Sequence, residues 1–124
     1  MIARDIMTRH VYTTTPETTI REAAHVLAER HISGMPVVNP AGTIIGMLTE
    51  ADIISKPGEH VEDIMSREII SVTAETPVGE IAQLLSRKKI KRVPVLTDGR
   101  LVGLISRADI VAAVADGHLI IRQW

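Results

Sequence analysis

Two stretches of the chain place the same chemistry-bearing residues at the same spacing. Gly46-Met47-Leu48-Thr49-Glu50-Ala51-Asp52-Ile53 and Gly103-Leu104-Ile105-Ser106-Arg107-Ala108-Asp109-Ile110 each pass from an apolar run, through a hydroxyl residue, to an acid three positions on. That spacing makes a capping box: the hydroxyl accepts the backbone N–H three residues on, and the acid reaches back to the N–H of the cap. The same residues suit a ligand. A strand feeding directly into a helix leaves unpaired N–H groups and positive dipole potential at the helix start, where a phosphate settles. An adjacent Asp then accepts hydrogen bonds from a ribose diol, as acids do in other nucleotide sites. Gly46 and Gly103 admit the close approach of a ligand or of neighbouring backbone, or relieve a crowded strand crossing. A single motif of this kind is weak evidence, and capping is its commoner meaning; both readings stay open on spacing alone.

The two stretches are copies within a longer duplication. Asp5 to Val38 align without a gap on Asp63 to Leu96, and Pro40 to Ile53 on Thr97 to Ile110, once one residue is dropped at Asn39. Asp5-Ile6-Met7 matches Asp63-Ile64-Met65, Pro36-Val37 matches Pro94-Val95, and Ala51-Asp52-Ile53 matches Ala108-Asp109-Ile110. We therefore read repeats at 1–58 and 59–124, with Ser55-Lys56-Pro57-Gly58-Glu59-His60 as the linker between them. A repeat of this size does not bury its apolar face alone, so the halves are expected to stack into one core with pseudo-twofold symmetry.

Each half reads as strand, helix, strand, strand, helix. Val11 to Thr13 is expected as a short strand, and Ile20, Ala23, Ala24, Leu27 and Ala28 follow the i, i+3, i+4, i+7, i+8 spacing of an amphipathic helix. Val78, Ile81, Ala82 and Leu85 repeat that stripe, with Thr76 as N-cap and Pro77 at the first helical position. Met35-Pro36-Val37-Val38 and Val93-Pro94-Val95-Leu96 are too short for helices and lead into Asn39-Pro40-Ala41-Gly42 and Thr97-Asp98-Gly99 turns. They are hairpin strands returning as Thr43 to Leu48 and Arg100 to Ile105, and the Pro in each outgoing strand points to an edge or a strand start. The fold class is α/β (α+β), two tandem β-α-β-β-α units.

Composition narrows the function classes. In 124 residues with 45% apolar content, Tyr12 and Trp124 are the only aromatics, so the core is aliphatic. The absence of Cys removes a disulfide framework, a thiolate nucleophile and a Cys-ligated metal. No signal peptide opens the chain and no apolar run nears the roughly 20 residues of a membrane span, so a soluble cytoplasmic protein is expected. The net charge is −1, yet Arg87, Lys88, Lys89, Lys91, Arg92, Arg100 and Arg107 are opposed between them by Asp98 alone. Arg87, Lys88 and Lys89 suit a helix C-terminus; without stacking aromatics the patch is not expected to bind nucleic acid.

With the duplication, the Asp-Ile-Met openings, Ile32-Ser33-Gly34-Met35-Pro36-Val37-Val38 and both Gly-x-x-Thr/Ser-x-x-Asp motifs in view, the chain resembles a cystathionine-beta-synthase (CBS) domain pair, or Bateman module, over essentially its whole length. The resemblance implies two clefts between the halves, adenosine-containing ligands (AMP, ADP, ATP or S-adenosylmethionine), no cofactor, a regulatory role without catalysis, and a homodimer acting on an effector protein or domain. Carried over by position, one cleft centres on Asp109 for ribose hydroxyls, with Ser106 near the phosphate or ribose and Lys91-Arg92 in place of a pair that is often His-Arg and reaches phosphate. Ile32, Ser33 and Met35 would lie against its adenine. The second cleft would use Asp52 and Thr49, with Ile90 and Val93 opposite, but Ser33-Gly34 replace the basic pair there. The alternative is a dimerisation or protein-interaction module whose clefts take no ligand.

Other chemistry is poorly supported. His10, His25, His31, His60 and His118 form no recognised metal spacing and are expected at the surface. Met7, Met35, Met47 and Met65 read as core filler. Gly-x-Gly-x-x-Gly, Walker A, Gly-x-Ser-x-Gly and His-Glu-x-x-His sequences are all missing, so catalysis is not expected. Val26, Leu84, Val111 and Val114 lie off the main helix stripes and mark a dimer interface. His118 to Trp124 is either a C-terminal strand or the start of a further segment.

Overall fold

A computed structural model describes residues 1–117; His118 to Trp124 lie outside the described residues. In chain order the elements are α1 (Ala3–Ile6), α2 (Ile20–Arg30), β1 (Gly34–Val38), β2 (Ile44–Thr49), α3 (Glu50–Ser55), α4 (Val61–Ile64), β3 (Val72–Thr73), α5 (Val78–Lys88), β4 (Arg92–Thr97), β5 (Arg100–Ser106) and α6 (Arg107–Ala115). The chain forms two compact units, and neither is a sequence repeat. One joins Met1–Val11 to the residues from Ile70 on; the other is Tyr12–Ile69. The segment Ser55 to His60, expected between halves, therefore lies inside the second of these units.

The reason is a pairing between segments distant in sequence. In the unit containing Ile70 onward, the opening segment hydrogen-bonds to the approach to α5: Ala3 N–H donates to Thr76 O (2.8 Å) and Arg4 N–H to Ala74 O (2.9 Å). Further on, Thr8 and Leu104 exchange N–H···O bonds of 2.9 and 3.0 Å, adding a bridge outside β5. In the other unit Val61 N–H donates to Thr18 O, Glu62 N–H to Pro16 O, and Met47 and Ser66 exchange bonds of 2.9 Å. Each Asp-Ile-Met opening thus closes the unit built mostly from the other repeat. Its acid holds the short helix start: Asp5 accepts Ile2 N–H (2.8 Å), and Asp63 accepts Glu59 and His60 N–H (3.0 and 2.9 Å).

This close approach explains both motif glycines. A Cβ on Gly46 would sit 2.8 Å from Met65 Sδ and from Ser66 O; on Gly103 it would sit 2.6 Å from Met7 Sδ and 3.1 Å from Thr8 O. Of the three readings of these glycines, close approach of neighbouring backbone is the one the structure supports. The cores follow the same division. Ala3, Met7, Val72, Val78, Ile81, Leu85, Val93, Val95 and Ile105 pack in one unit, and Ala23, Leu27, Met35, Val37, Leu48, Val61, Ile64 and Met65 in the other. Met47 is only partly buried.

The unit containing β3 shows the whole β-α-β-β-α order. β3 runs parallel to β4 through the α5 crossover, and β4 pairs antiparallel with β5, giving the sheet order β3-β4-β5. Pro94 consequently lies in a middle strand, contrary to the edge expected for it. The exception is tolerated because β3 pairs only with Val95 and Leu96, so no partner demands an N–H from Pro94. In the other unit, β1 and β2 make a two-stranded hairpin and the expected strand at Val11 to Thr13 is absent. Its place is taken by Thr14, a single parallel bridge to Val37 that donates to Pro36 O and accepts from Val38 N–H. Both hairpins carry a register shift at the same repeat position, between Val37 and Val38 and between Val95 and Leu96. Asp98 and Gly99, at φ 51° and 78°, form the two-residue turn of the second.

Helix starts differ from expectation at one point. Thr19 caps α2 in a full capping box with Glu22, whereas α5 begins at Val78 with Pro77 in the cap position and no side-chain cap. Thr76 does not cap; its hydroxyl accepts Thr73 N–H (3.0 Å) one turn earlier. The buried stripe of α5 is Val78, Ile81 and Leu85, and that of α2 is Ala23 and Leu27, with Ala28 exposed.

Gly46→Ala is expected to cost about 1–3 kcal/mol in urea unfolding, as overpacking does. Gly103→Ala is expected to cost less, because its nearest obstacle is a flexible thioether rather than a carbonyl oxygen. The two backbone N–H groups donated to Asp63 hold its carboxyl below the ordinary 3.8. Its contribution to stability is therefore present in full above that value and lost as pH falls through the lower folded one. Melting curves of Asp63→Asn are expected to fall off less steeply than wild type in that acid range.

Candidate functional site

Both strand-to-helix junctions form as capping boxes. Ser106 ends β5, and its Oγ accepts Asp109 N–H at 3.3 Å while Asp109 Oδ2 accepts Ser106 N–H at 2.8 Å and the Ser106 hydroxyl at 3.1 Å. Thr49 ends β2 and makes the matching set with Asp52 at 3.3, 3.0 and 3.1 Å. One carboxylate oxygen of each Asp is thus committed to its own backbone. The other decides what chemistry is left.

At Asp109 that second oxygen is open. The residue is partly exposed, and among the described residues no side chain pairs with Oδ1. Three basic residues adjoin the Ser106 cap along the backbone. Arg92 pairs with Ser106 across the β4–β5 ladder, Lys91 O accepts Arg107 N–H (3.0 Å), and Arg107 Nε donates to Ile90 O (3.1 Å). Ser106, Asp109, Lys91 and Arg92 are therefore brought together in one unit, with the start of the nine-residue α6 adding its positive dipole end.

At Asp52 the second oxygen is taken. Lys56, one turn on, places Nζ 2.8 Å from Asp52 Oδ1 and donates a further bond to Ile64 O at 3.2 Å. Asp52 is buried at 7% exposure, and α3 ends after six residues where α6 continues. Gly34 pairs with Thr49, and Ser33 O accepts Glu50 N–H (2.9 Å), so Ser33-Gly34 occupy the place that Lys91-Arg92 hold in the other unit. Sequence reasoning missed Lys56, although the Asp-to-Lys i,i+4 spacing on a helix was the signal for it.

The aliphatic residues divide by burial. Ile32 and Ile90 are partly exposed, whereas Met35 and Val93, at 1% and 0% exposure, are packed inside the cores of their own units. An open groove of about 680 Å³ beside β3, lined among others by Ser71, Thr73, Thr76, Gln83 and Arg87, contains none of the expected site residues. No group of three or more His, Cys, Asp or Glu able to hold a metal occurs among the described residues. His25 makes an i,i+4 contact with Glu29 at 3.0 Å instead.

The family model for the CBS domain matches residues 3–59 and again residues 61–116. The chain belongs to the CBS domain family. It is 36% identical over 108 residues to inosine-5'-monophosphate dehydrogenase of Thermoplasma acidophilum, covering 86% of this chain and 22% of that one. It is 32% identical over 114 residues to the CBS domain-containing protein YhcV of Bacillus subtilis, covering 86% and 81%. Enzymes among the relatives are matched only in part, down to 14% of the A-adding tRNA nucleotidyltransferase of Aquifex aeolicus. Among solved structures, CBSX2 in complex with AMP, a CBS-pair protein of Arabidopsis thaliana, superposes with a TM-score of 0.90 at 26% identity, covering 95% of this chain and 98% of that one. The CBS domain pair of protein MJ0100, in complex with 5'-methylthioadenosine and S-adenosylmethionine, gives 0.88 at 29% identity, covering 94% and 98%. No described helix of this CBS pair is long and apolar enough to cross a membrane.

Proposed function

We propose that this CBS pair is a non-catalytic regulatory module that binds an adenosine-containing ligand at Asp109 and passes the binding on to an effector protein or domain. The observation that carries the reading is the conjunction, in one unit, of an open Asp109 Oδ1 with Lys91 and Arg92 beside the Ser106 cap. An N-cap needs no such cations for its own satisfaction, whereas a phosphate gains charge-assisted hydrogen bonds from them. The AMP, methylthioadenosine and S-adenosylmethionine held by the two neighbouring structures support the same ligand class. Asp109 would take the ribose hydroxyls, with Ser106 near the phosphate or ribose and the basic pair on the phosphate. Asp52 and Thr49 form the lesser site, expected either to take adenosine or S-adenosylmethionine about as well as AMP or to stay empty. We keep 1–58 and 59–124 as the two repeats of one module, and a cytoplasmic location.

A homodimer is part of the proposal. Val111 and Val114 of α6 are 66% and 40% exposed and lie at i,i+3 spacing, an apolar surface suited to an interface. Val26 and Leu84 do not contribute as expected, since both pack against the cores of their own units.

AMP at about 100 times its dissociation constant is expected to stabilise the fold by ~2.7 kcal/mol in a thermal-shift assay. Asp109→Ala should remove most of that shift, and Arg92→Ala should weaken AMP about tenfold while leaving adenosine nearly unchanged. No shift with any adenosine compound at millimolar concentration would favour the ligand-free interaction module. In sedimentation at tens of micromolar the wild type is expected to run as a dimer and Val111→Asp as a monomer; a wild-type monomer would remove the dimer from the reading.

A further inference from the structure

The two copies of the hydroxyl-to-acid motif differ most at a residue outside the motif. The residue after α3 is Lys56, and the corresponding position on α6 is Ala113, a buried core residue. Lys56 closes a chain of contacts: Thr49 N–H and hydroxyl to Asp52 Oδ2, Asp52 Oδ1 to Lys56 Nζ, and Lys56 Nζ to Ile64 O. Both carboxylate oxygens of Asp52 are thus engaged by the protein itself.

We propose that Lys56 is a built-in competitor that withholds Asp52 from a ribose, so that Lys56 determines which of the two duplicated carboxylates takes the ligand. The inference rests on the adenosine-binding reading above. The geometry fits a competitor better than a phosphate-binding lysine. Nζ makes its closest contact with the carboxylate and a second with a backbone carbonyl, both acceptors, which fixes the ammonium over the oxygen that ribose hydroxyls need. Asp52 is nearly buried, and a buried carboxylate that loses a bonded cation must recover the interaction elsewhere. A diol entering there must displace the ammonium, since two neutral hydroxyls do not share the same lone pairs with it. Lys56 is half exposed, so the pair is partly screened and the obstruction is finite. Its removal is expected to raise adenosine affinity at Asp52 by about tenfold.

The test is calorimetric titration of the full chain with adenosine, which lacks phosphate and so reports on the carboxylates alone. Wild type is expected to bind one adenosine per chain and Asp109→Ala none in the same range. Asp109→Ala with Lys56→Ala should regain one site, lost again when Asp52→Ala is added. Lys56→Arg, which keeps the cation, should behave as wild type. Lys56→Met, which keeps the aliphatic stem, repeats the experiment should the alanine variant prove unfolded by circular dichroism. If wild type binds and neither double variant gains affinity over Asp109→Ala, the role of Lys56 is wrong and the Asp109 reading stands. The role of Lys56 also fails if Asp52→Ala abolishes one of two wild-type sites, because Asp52 would then already be open. Should wild type be silent while Lys56→Ala binds adenosine through Asp52, Lys56 keeps its role and the Asp109 site fails. Silence in all variants overturns both.

Discussion

In each unit one aspartate does two jobs with two oxygens. Oδ2 reaches back to the N–H and hydroxyl of the residue that ends a strand, and this bond turns the strand into a helix without a loop. The antiparallel register places the start of the outgoing hairpin strand, Ser33-Gly34 in one case and Lys91-Arg92 in the other, beside the helix start. Everything that distinguishes the two sites is then decided around Oδ1. At Asp109 it has no side-chain partner among the described residues, with Lys91 and Arg92 adjoining the cap in backbone register; at Asp52 it is closed by Lys56. A duplicated scaffold thus supports unequal chemistry through a few side chains that lie at or just beyond the motif.

The cap alone does not make a unit. Each hairpin is completed by a segment from the other repeat, Met7-Thr8 against Leu104 and Met65-Ser66 against Met47, and the glycines make room for that crossing. Closing loops this long is entropically costly, and the aliphatic residues of Asp-Ile-Met offset it by entering the cores. The exchange makes the compact units discontinuous in sequence, and it makes neither repeat self-sufficient. This accounts for a family in which such repeats occur as pairs in one chain.

The relatives put that pair in context. The module accounts for 22% of a dehydrogenase and 81% of a CBS domain-containing protein. The module therefore occurs both as a small part of a long enzyme chain and as most of a short one. The exposed valines of α6 offer one surface through which a second copy would be engaged.

Much of this was legible from residue type and spacing. Both capping boxes, the Asp-Gly turn, the helix stripes and the duplication rest on interactions within a few residues, where periodicity and side-chain chemistry are sufficient. Arg92 near Ser106 was implied by the family resemblance, and the hairpin register, itself set by a short turn, pairs the two residues. Other features depend on pairings that spacing does not encode. The duplication alone did not say that Asp-Ile-Met crosses to the other repeat's hairpin, and so the boundary of each unit and the purpose of Gly46 and Gly103 came only with the tertiary structure. The strand expected at Val11 to Thr13 shrank to a bridge at Thr14, because its hydrogen bonds depend on where β1 lies. That Met35 and Val93 are buried in the cores of their units was likewise not readable from spacing, since burial is a property of the packed unit. Lys56 stood at a readable i,i+4 spacing from Asp52, yet its second bond, to Ile64 O, required α4 to fold back against the end of α3. Local chemistry was determined by the sequence, while the use made of each polar group was decided by which distant backbone came within hydrogen-bond reach.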